Sequence, residues 1–311
     1  MAHTGGLLPH GLLLLERGWL SSNNLVCIGR DQTAVIDTGY ASHAPQTLAL
    51  VRHALDGRAL DVIVNTHLHS DHCGGNAALQ AAYPQVRTLI PPGEAQRVAL
   101  WDAQALSYEP TGQQCPRFSW QGLVQPGASL RLGDHDFEVH AAPGHDPHAV
   151  VLFEPQHRLL VSGDALWQRG FGIVFPELQG ESGFDEVEAT LQLIEGLTPR
   201  VVVPGHGPAF DTVDDALADA RRRLAGYRSD PVRHARHAIK VLIKFKLMEL
   251  QRWSVAHFLE WSSATPYVTG IHARFFAKEP LRPWLHKLVG ELAASAAIVV
   301  EGDLLREPAA A

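Results

Sequence analysis

The sequence predicts a layered α/β fold followed by a helical C-terminal appendage. Over about the first 210 of the 311 residues, short apolar runs alternate with turn signals and with segments of helical spacing. After Pro208 the pattern changes to a series of longer helical segments. Hydrophobic residues make up 46% of the chain and charged residues 19%, as in an ordinary globular protein. Strands and helices mixed in this order are typical of packed α/β layers.

The elements of the first region can be assigned in order along the chain. The leucines at 12–15 predict an edge strand. The apolar runs 25–28 and 33–36 flank turn residues and predict a hairpin. Helical spacing predicts helices at 44–56, 76–82 and 186–195. Buried strands are expected at 60–64, 137–142, 149–153, 158–162 and 200–203.

The region after Pro208 predicts helices at 214–227, 232–250, 254–262 and 281–297. Apolar runs on both sides of Gly302 predict a closing hairpin. Helices followed by such a hairpin suit a winged-helix-like appendage, and an all-helical lid is the alternative. We therefore predict a first domain over residues 1–212 and a C-terminal domain over residues 213–311.

Cysteine usage and the N-terminal sequence indicate a reducing compartment. The cysteines Cys27, Cys73 and Cys115 are scattered and odd in number, which argues against a disulfide scaffold. The N-terminus lacks a basic start and a small-residue cleavage site. No apolar stretch reaches the ~20 residues of a membrane helix. We expect a cytoplasmic protein with no membrane partner.

The charge of the chain is distributed unevenly. The formal net charge is −7, yet residues 219–252 carry ten Lys or Arg against three acids. A solvated helix face is the favoured interpretation of this basic segment. A surface for an anionic partner such as nucleic acid is the alternative.

Residues of the types that bind metals stand at four separate places, each directly after an apolar run. The first place holds His67, His69, Asp71 and His72, and the others hold Gly144-His145, Gly163-Asp164 and Gly205-His206. Side chains just past strand ends converge on one rim of a sheet, and glycine permits the tight turns required there. Neutral imidazoles and carboxylates are ligands that borderline divalent metals accept.

The spacing of the first group favours two ions. In extended backbone His67 and His69 point to the same side, so they can bind one ion together. Asp71 and His72 follow where the chain turns into a helix, so they can face a second ion. Two ions about 3.5–4 Å apart can hold a hydroxide between them and polarise the scissile group.

This ordered set of motifs resembles the metallo-β-lactamase superfamily, in its glyoxalase II-like branch, over about residues 15–210. The resemblance implies an αββα sandwich with the metals at one edge of two packed sheets. It places His67, His69 and His145 on the first metal. It places Asp71, His72 and His206 on the second, with Asp164 bridging the two. The expected cofactors are two divalent ions, zinc in the first place and iron or manganese as alternatives.

Further residues are candidates for supporting a ligand or touching substrate. Asp37 matches the superfamily's first motif and is expected to support a ligand rather than bind metal. His148 follows His145 by three residues and is either a site residue or a polar turn residue. Trp167 and Phe171 lie in the glycine-punctuated loop 166–176, which forms either a pocket wall or a docking surface for the C-terminal helices. The histidines at 135, 140 and 157 match no motif and are expected to be structural or surface residues.

We expect a hydrolase that uses a hydroxide bridging two divalent metals, with Asp71 helping to hold or accept a proton. A small-molecule ester or thioester is the favoured substrate. One alternative is an endoribonuclease or phosphodiesterase that uses the basic C-terminal region, whose end weakly resembles the tail of lactamase-like endoribonucleases. Another is a metal-containing sensor with little turnover. The best-known zinc β-lactamases use a cysteine ligand where this chain has Asp164, which argues against antibiotic hydrolysis, and Cys73 is expected to be a packed small residue.

Overall fold

The computed structural model describes residues 6–308, which form two compact units. The larger unit contains the chain up to Tyr108 together with Gln114–Gly226. The smaller unit contains Glu109–Gln113 together with the chain from Tyr227 onward. The domain limits predicted from the sequence, 1–212 and 213–311, stay a prediction.

The larger unit is built on two sheets. The first sheet has the strand order β1-β2-β3-β4-β5-β6, with antiparallel pairing from β1 to β3 and parallel pairing from β3 to β6. Its strands are β1 (Leu12–Leu15), β2 (Asn24–Ile28), β3 (Thr33–Ile36), β4 (Val62–Val64), β5 (Arg87–Ile90) and β6 (Gly122–Leu123). The leucine run therefore forms an edge strand, as the sequence predicted.

The second sheet has the order β11-β10-β9-β8-β7. Only β10 and β11 are parallel, while β7 through β10 pair as an antiparallel meander. Its strands are β7 (Ser129–Leu132), β8 (His135–Ala141), β9 (Val150–Glu154), β10 (Leu159–Gly163) and β11 (Val201–Pro204).

Helices connect these strands and cover the sheets. They are α1 (Ala44–Leu55), α2 (Ser70–Cys73), α3 (Asn76–Ala82), α4 (Ala95–Leu100), α5 (Tyr108–Thr111), α6 (Phe175–Gln179), α7 (Phe184–Leu197) and α8 (Val213–Ser229). Two 3-10 turns occur at Ala41–His43 and Pro92–Glu94. Of these helices, α5 and α8 cross the limits of the larger unit.

The main core lies between the two sheets. Alternate residues of the first sheet, such as Leu25 and Ile36, pack in one cluster with Phe137, Val139 and other residues of the second sheet. The opposite face of the first sheet packs against α1 and α3 in a second cluster that includes Val51 and Leu79. This is the αββα order of layers expected for the first region.

The smaller unit is mainly helical. Its elements are α9 (Pro231–Leu250), β12 (Arg252–Ser254), α10 (Val255–Ala264), α11 (Pro266–Phe275), α12 (Leu281–Ala294), β13 (Val299–Glu301) and β14 (Leu304–Arg306). Asp230 and Ser254 cap the N-termini of α9 and α10 through their side chains. The strands form a sheet of order β12-β14-β13, with the turn of its hairpin at Gly302. The expected helical C-terminal region is thus present, and it carries a sheet that an all-helical lid would lack.

Among residues 6–308, no helix combines the length and the apolar character that crossing a membrane requires.

Candidate metal centre

Strand direction brings the four groups of predicted ligands to one edge of the sandwich. The residues follow β4, β8, β10 and β11, and β8 runs in the same direction as β10 and β11. The carboxyl ends of these three strands therefore meet at the same edge of the second sheet. The Val150 N–H donates to the Thr66 carbonyl at 2.9 Å and ties this edge to the end of β4.

Close backbone approach explains two of the glycines. A Cβ on Gly205 would lie 2.3 Å from Oδ1 of Asp164 and 2.8 Å from the His72 ring. A Cβ on Gly172 would lie 2.4 Å from Nδ1 of His145. A larger residue at either position would displace a ligand side chain, so both positions require glycine.

The predicted ligands form three overlapping groups whose donor atoms lie within 4.8 Å of one another. These groups are His67, His69 and His145; His67, His72 and Asp164; and Asp71, His72 and His206. We call these seven residues the strand-end cluster. All seven predicted ligand positions thus come together.

Asp164 lies between the two ends of the strand-end cluster. Its Oδ2 is 3.4 Å from Nε2 of His145, and its Oδ1 is 3.4 Å from Nε2 of His72. Oδ1 also lies 3.8 Å from Nε2 of His206, which in turn is 3.2 Å from Oδ2 of Asp71. The two carboxylate oxygens therefore face different groups of imidazoles.

The polar atoms of the strand-end cluster fit divalent ions. Nε2 of His67 and Nε2 of His72 are buried and have no hydrogen-bond partner among residues 6–308. Buried nitrogen atoms without a partner are costly, and native structures usually satisfy them. Both nitrogens stand in groups that also contain carboxylate oxygen, so imidazole and carboxylate donors of the kind zinc accepts surround the same space.

Burial keeps several of these imidazoles neutral. Desolvation, together with the charges of His72, His69 and His145, lowers the pKa of His67 well below its ordinary value. Desolvation also lowers the pKa of His69 and of His145 to about 4. Neutral imidazoles offer the lone pairs that a metal requires.

Charge acts in the opposite direction elsewhere in the cluster. Burial by itself would lower the pKa of His72, but the charges of Asp164, Asp37 and Asp71 outweigh it and raise that pKa well above the ordinary range. Burial likewise opposes ionisation of Asp164, yet the charges of His72 and His206 hold its pKa well below the ordinary range. The concentrated negative charge of the three carboxylates is suited to a cation.

Hydrogen bonds outside the cluster fix its orientation. Asp37 accepts from the Thr66 N–H at 2.9 Å, from the Thr66 hydroxyl at 2.8 Å and from Nδ1 of His72 at 2.7 Å. Nδ1 of His145 donates to the Ile173 carbonyl at 2.6 Å. In both histidines Nδ1 carries the proton, so Nε2 is directed into the cluster. The contacts of Asp37 orient the His72 ring, and its role in supporting a metal ligand stays a prediction.

The other candidate residues take different positions. Trp167 donates from its indole N–H to Oδ1 of Asp164 at 3.1 Å, and Phe171 is buried beside a small cavity that His145 and Asp164 also line. The imidazole of His148 faces the carboxylate of Glu94, with its Nε2 3.5 Å from Oε1. Cys73 is fully buried, and its thiol faces the Leu68 carbonyl.

Sequence reasoning missed three residues near the ligands. The Trp19 ring stacks on His206 with centroids 5.4 Å apart, although more than half of this side chain is exposed. Phe175 meets His69 edge-to-face at 5.0 Å. Oδ2 of Asp146 lies 3.7 Å from Nε2 of His69. Phe175 lies in the loop 166–176 and Asp146 directly follows His145, so both stand in segments that the sequence analysis had selected. No sequence pattern indicated Trp19.

Several known proteins are similar to this chain in sequence. The bovine (Bos taurus) acyl-coenzyme A thioesterase MBLAC2 is 25% identical over 230 residues, covering 65% of this chain and 80% of that protein. The hydroxyacylglutathione hydrolase of Bdellovibrio bacteriovorus is 28% identical over 144 residues, covering 46% of this chain and 47% of that protein. The human (Homo sapiens) mitochondrial persulfide dioxygenase ETHE1 is 30% identical over 129 residues, covering 42% of this chain and 41% of that protein.

A solved structure extends the likeness to the whole fold. A metallo-beta-lactamase family protein of Thermus thermophilus matches with a TM-score of 0.57 at 18% identity, covering 97% of this chain and 100% of that one. The sequence profile of the metallo-beta-lactamase superfamily matches residues 17–206, which include all seven residues of the strand-end cluster. This chain belongs to the metallo-beta-lactamase superfamily.

Proposed function

We propose that this protein is a metal-dependent hydrolase that cleaves a small-molecule thioester or ester. The observation that carries the proposal is the strand-end cluster, in which two buried imidazole nitrogens that find no hydrogen-bond partner within residues 6–308 stand beside the carboxylate of Asp164. Such a cluster serves a metal-assisted hydrolysis, because it needs no nucleophile from the protein itself.

The residues would divide between two metal positions in the way predicted from the sequence. His67, His69 and His145 would hold one ion, and Asp71, His72 and His206 the other, with Asp164 shared through its two oxygens. Two divalent ions bound there would supply Lewis acidity and a hydroxide between them at neutral pH. Zinc suits this donor set, and iron or manganese are the alternatives.

In this proposal Asp71 helps to hold a proton at the cluster during the reaction. Burial favours its neutral form, but the charge of His72 and a hydrogen bond from His206 outweigh burial and lower the pKa of Asp71. The side chain is therefore ionised at neutral pH. Its Oδ2 lies 3.2 Å from Nε2 of His206, so the carboxylate stands at the cluster, where it can accept a hydrogen bond from a reacting water.

Aromatic rings beside the ligands favour an apolar acyl group on the substrate. Trp19 stacks on His206, and Phe175 packs edge-to-face on His69 and His145. Trp167 lies next to Trp19, with ring centroids 5.4 Å apart. Apolar walls with a few polar groups are typical of small-molecule sites. The name of the thioesterase relative specifies an acyl-coenzyme A, and that of the hydrolase relative a hydroxyacylglutathione.

The charges of the C-terminal region favour this substrate class over nucleic acid. At least six of the ten basic residues between 219 and 252 already lie in ion pairs within the chain. These pairs are Arg221–Glu195, Arg222–Asp219, Arg236–Glu291, Lys240–Glu291, Lys244–Glu307 and Lys246–Glu249. Cations that already have an acidic partner contribute less to binding a phosphate backbone than cations without one. We therefore rank the endoribonuclease below the thioester or ester hydrolase.

The test is a substrate panel on metal-loaded protein. The panel contains acyl-coenzyme A and acylglutathione thioesters, lactones, phosphodiesters and RNA, with the metal content measured alongside. We expect turnover of a thioester, loss of turnover on chelation and recovery with zinc, manganese or iron. Trp19→Ala should raise KM for long acyl chains more than for short ones, whereas Leu123→Ala, which trims an exposed apolar residue on β6, should not.

Other outcomes select other functions. Turnover of RNA with strong dependence on salt would select the nuclease. Consumption of dioxygen with a persulfide would select the activity that one relative's name specifies. Tight binding of a panel compound by the loaded protein without turnover of any substrate would select a sensor. Full thioester turnover by protein shown to be free of metal would refute the proposal.

A further inference from the structure

A second histidine–carboxylate cluster lies at the other end of β8. His135 is the first residue of β8, Glu154 is the last residue of β9, and His157 stands in the turn between β9 and β10. Because β8 and β9 are antiparallel, the start of β8 and the end of β9 share one edge of the sheet. His145 follows the opposite end of β8, so the seven residues of this strand, about 23 Å of extended chain, separate the two clusters.

The geometry of these three residues, which we call the strand-start cluster, suits one ion. Each residue offers a donor atom, and the three atoms lie within 4.8 Å of one another. Nδ1 of His157 is 3.2 Å from Oε1 of Glu154, and Nδ1 of His135 is 3.6 Å from the same oxygen. Neighbouring ligands of a tetrahedral zinc ion, with bonds of about 2.0–2.1 Å, lie about 3.3 Å apart. The observed separations are close to that spacing.

A backbone contact fixes the orientation of His135. Its Nε2 lies 2.9 Å from the His10 carbonyl oxygen, which can only accept, so Nε2 carries a proton. In the neutral ring Nδ1 is then a lone pair that faces the carboxylate of Glu154. Two acceptors facing each other repel unless a cation lies between them. Histidines that bind metals through one nitrogen commonly donate from the other to a backbone carbonyl.

The charge of Glu154 is also uncompensated by ordinary cations. Glu154 is 2% exposed, and no Lys or Arg among residues 6–308 forms an ion pair with it. The His157 backbone N–H donates to its Oε2 at 2.7 Å and orients the carboxylate. A buried carboxylate is costly unless paired or bound to a metal, and here both side-chain neighbours that could compensate it are histidines.

We propose that His135, Glu154 and His157 form a separate site for one divalent cation of the zinc class. Two imidazoles and one glutamate make a recognised zinc donor set with one open position. The exposed side of His157 leaves room for water there. Since His135 also bonds the His10 carbonyl, the ion would join the N-terminal segment to β8 and to the β9–β10 turn.

The test counts metal ions in the intact protein. Wild type and variants are dialysed to equilibrium against a series of free zinc concentrations, and zinc per chain is measured by mass spectrometry. Wild type should hold one equivalent more than His157→Ala and one more than Glu154→Gln. His140→Asn is the matched control, because His140 also pairs with a glutamate on β8 but lacks a third ligand. This control should hold as much zinc as wild type.

The comparison is independent of how many ions the strand-end cluster holds, because that cluster is unchanged in all four proteins. His157 is an exposed turn residue, so its replacement removes no core packing, and circular dichroism verifies the fold. If Glu154→Gln does not fold, the result with His157→Ala decides alone. Equal zinc content and affinity in wild type and His157→Ala would overturn the proposal. The contact between His157 and Glu154 would then be an ordinary hydrogen bond without a metal ion.

Discussion

The two ends of β8 carry two clusters of histidine and carboxylate that differ in how the chain builds them. The strand-end cluster gathers seven residues from four segments that each follow a strand, with glycines that let the backbone approach these side chains. The strand-start cluster gathers three residues from the beginning of one strand, the end of its antiparallel partner and the following turn. The residues of the strand-end cluster can be recognised in the sequence as repeated motifs. Those of the strand-start cluster share no motif and come together only because the strands pair.

The two clusters also differ in their supporting contacts. Asp37 holds His72, and the Ile173 carbonyl holds His145, so the ligands of the strand-end cluster are fixed before any ion arrives. In the strand-start cluster the His10 carbonyl accepts from His135 and the His157 backbone N–H orients Glu154, while the His157 side chain remains exposed. We therefore expect tight binding and chemistry at the first cluster, and weaker binding at the second.

The largest effect should follow removal of the shared carboxylate. Asp164→Asn keeps the side-chain shape but loses the charge that faces both His72 and His145. Thioester turnover should fall by more than the roughly 100-fold that loss of an outer partner costs, and zinc bound at the strand-end cluster should decrease. The measurements are kcat/KM and zinc per chain, with the exposed Asp136→Asn as control. Activity within tenfold of wild type would contradict the assignment of Asp164.

A smaller loss should follow removal of the support for His72. The Asn side chain of Asp37→Asn carries no charge. It therefore binds the Thr66 N–H, the Thr66 hydroxyl and Nδ1 of His72 less strongly than the carboxylate does. Turnover or metal affinity should fall about 10–100-fold, as when an outer partner of a metal ligand is lost. Zinc titration monitored by turnover distinguishes weaker binding from a slower reaction. Unchanged zinc affinity together with unchanged kcat would show that Asp37 does not position His72.

In the metal-free protein, burial of the His145 imidazole should make the free energy of unfolding depend on pH. Because the pKa of His145 falls from about 6.5 to about 4 on folding, the unfolded chain binds the proton more readily between these values. His145 therefore lowers the free energy of unfolding as pH falls from about 6.5 towards 4. His145→Gln should remove this contribution, on the order of 2 kcal/mol at the acid end. Urea unfolding at pH 5 and pH 7.5 measures it, and identical pH slopes for both proteins would contradict it.

The smallest effect should come from the strand-start cluster. At zinc ten times above its dissociation constant, a site that binds only the folded chain adds about 1.4 kcal/mol of stability. The rise in Tm on adding zinc should therefore be smaller by a few degrees in His157→Ala than in wild type or His140→Asn. Equal rises in Tm in all three proteins would argue against an ion at this cluster.

The sequence was sufficient for the main fold and for the strand-end cluster for a physical reason. Apolar runs of four or five residues followed by glycine and a ligand identify a strand and its end, as in Val201–Pro204 and His206. It was insufficient between residues 83 and 135, where the strands β5, β6 and β7 contain no apolar run longer than two residues. Such strands have little local pattern, and they form through pairing with their neighbours. The helix α11 (Pro266–Phe275) was also not predicted.

Trp19 shows the same limit at the site itself. Nothing near Trp19 in the sequence connects it with His206, which lies 187 positions later. The connection is made by Asn23, whose side-chain amide donates to the carbonyls of Pro204 and Gly207 and draws the two loops together. Contacts of this kind depend on the arrangement of both sheets.

By itself, the sequence determined the set of candidate ligands, because residue types and spacing at strand ends fix which side chains share a rim. Only the tertiary structure decided which of their atoms face the centre of the strand-end cluster, since hydrogen bonds to Asp37 and Ile173 select Nε2 of His72 and His145. It also decided that His135, Glu154 and His157 meet, because antiparallel pairing brings positions with no common motif to one edge. The local sequence pattern identifies the candidate ligands, and the long-range pairing of strands determines their geometry.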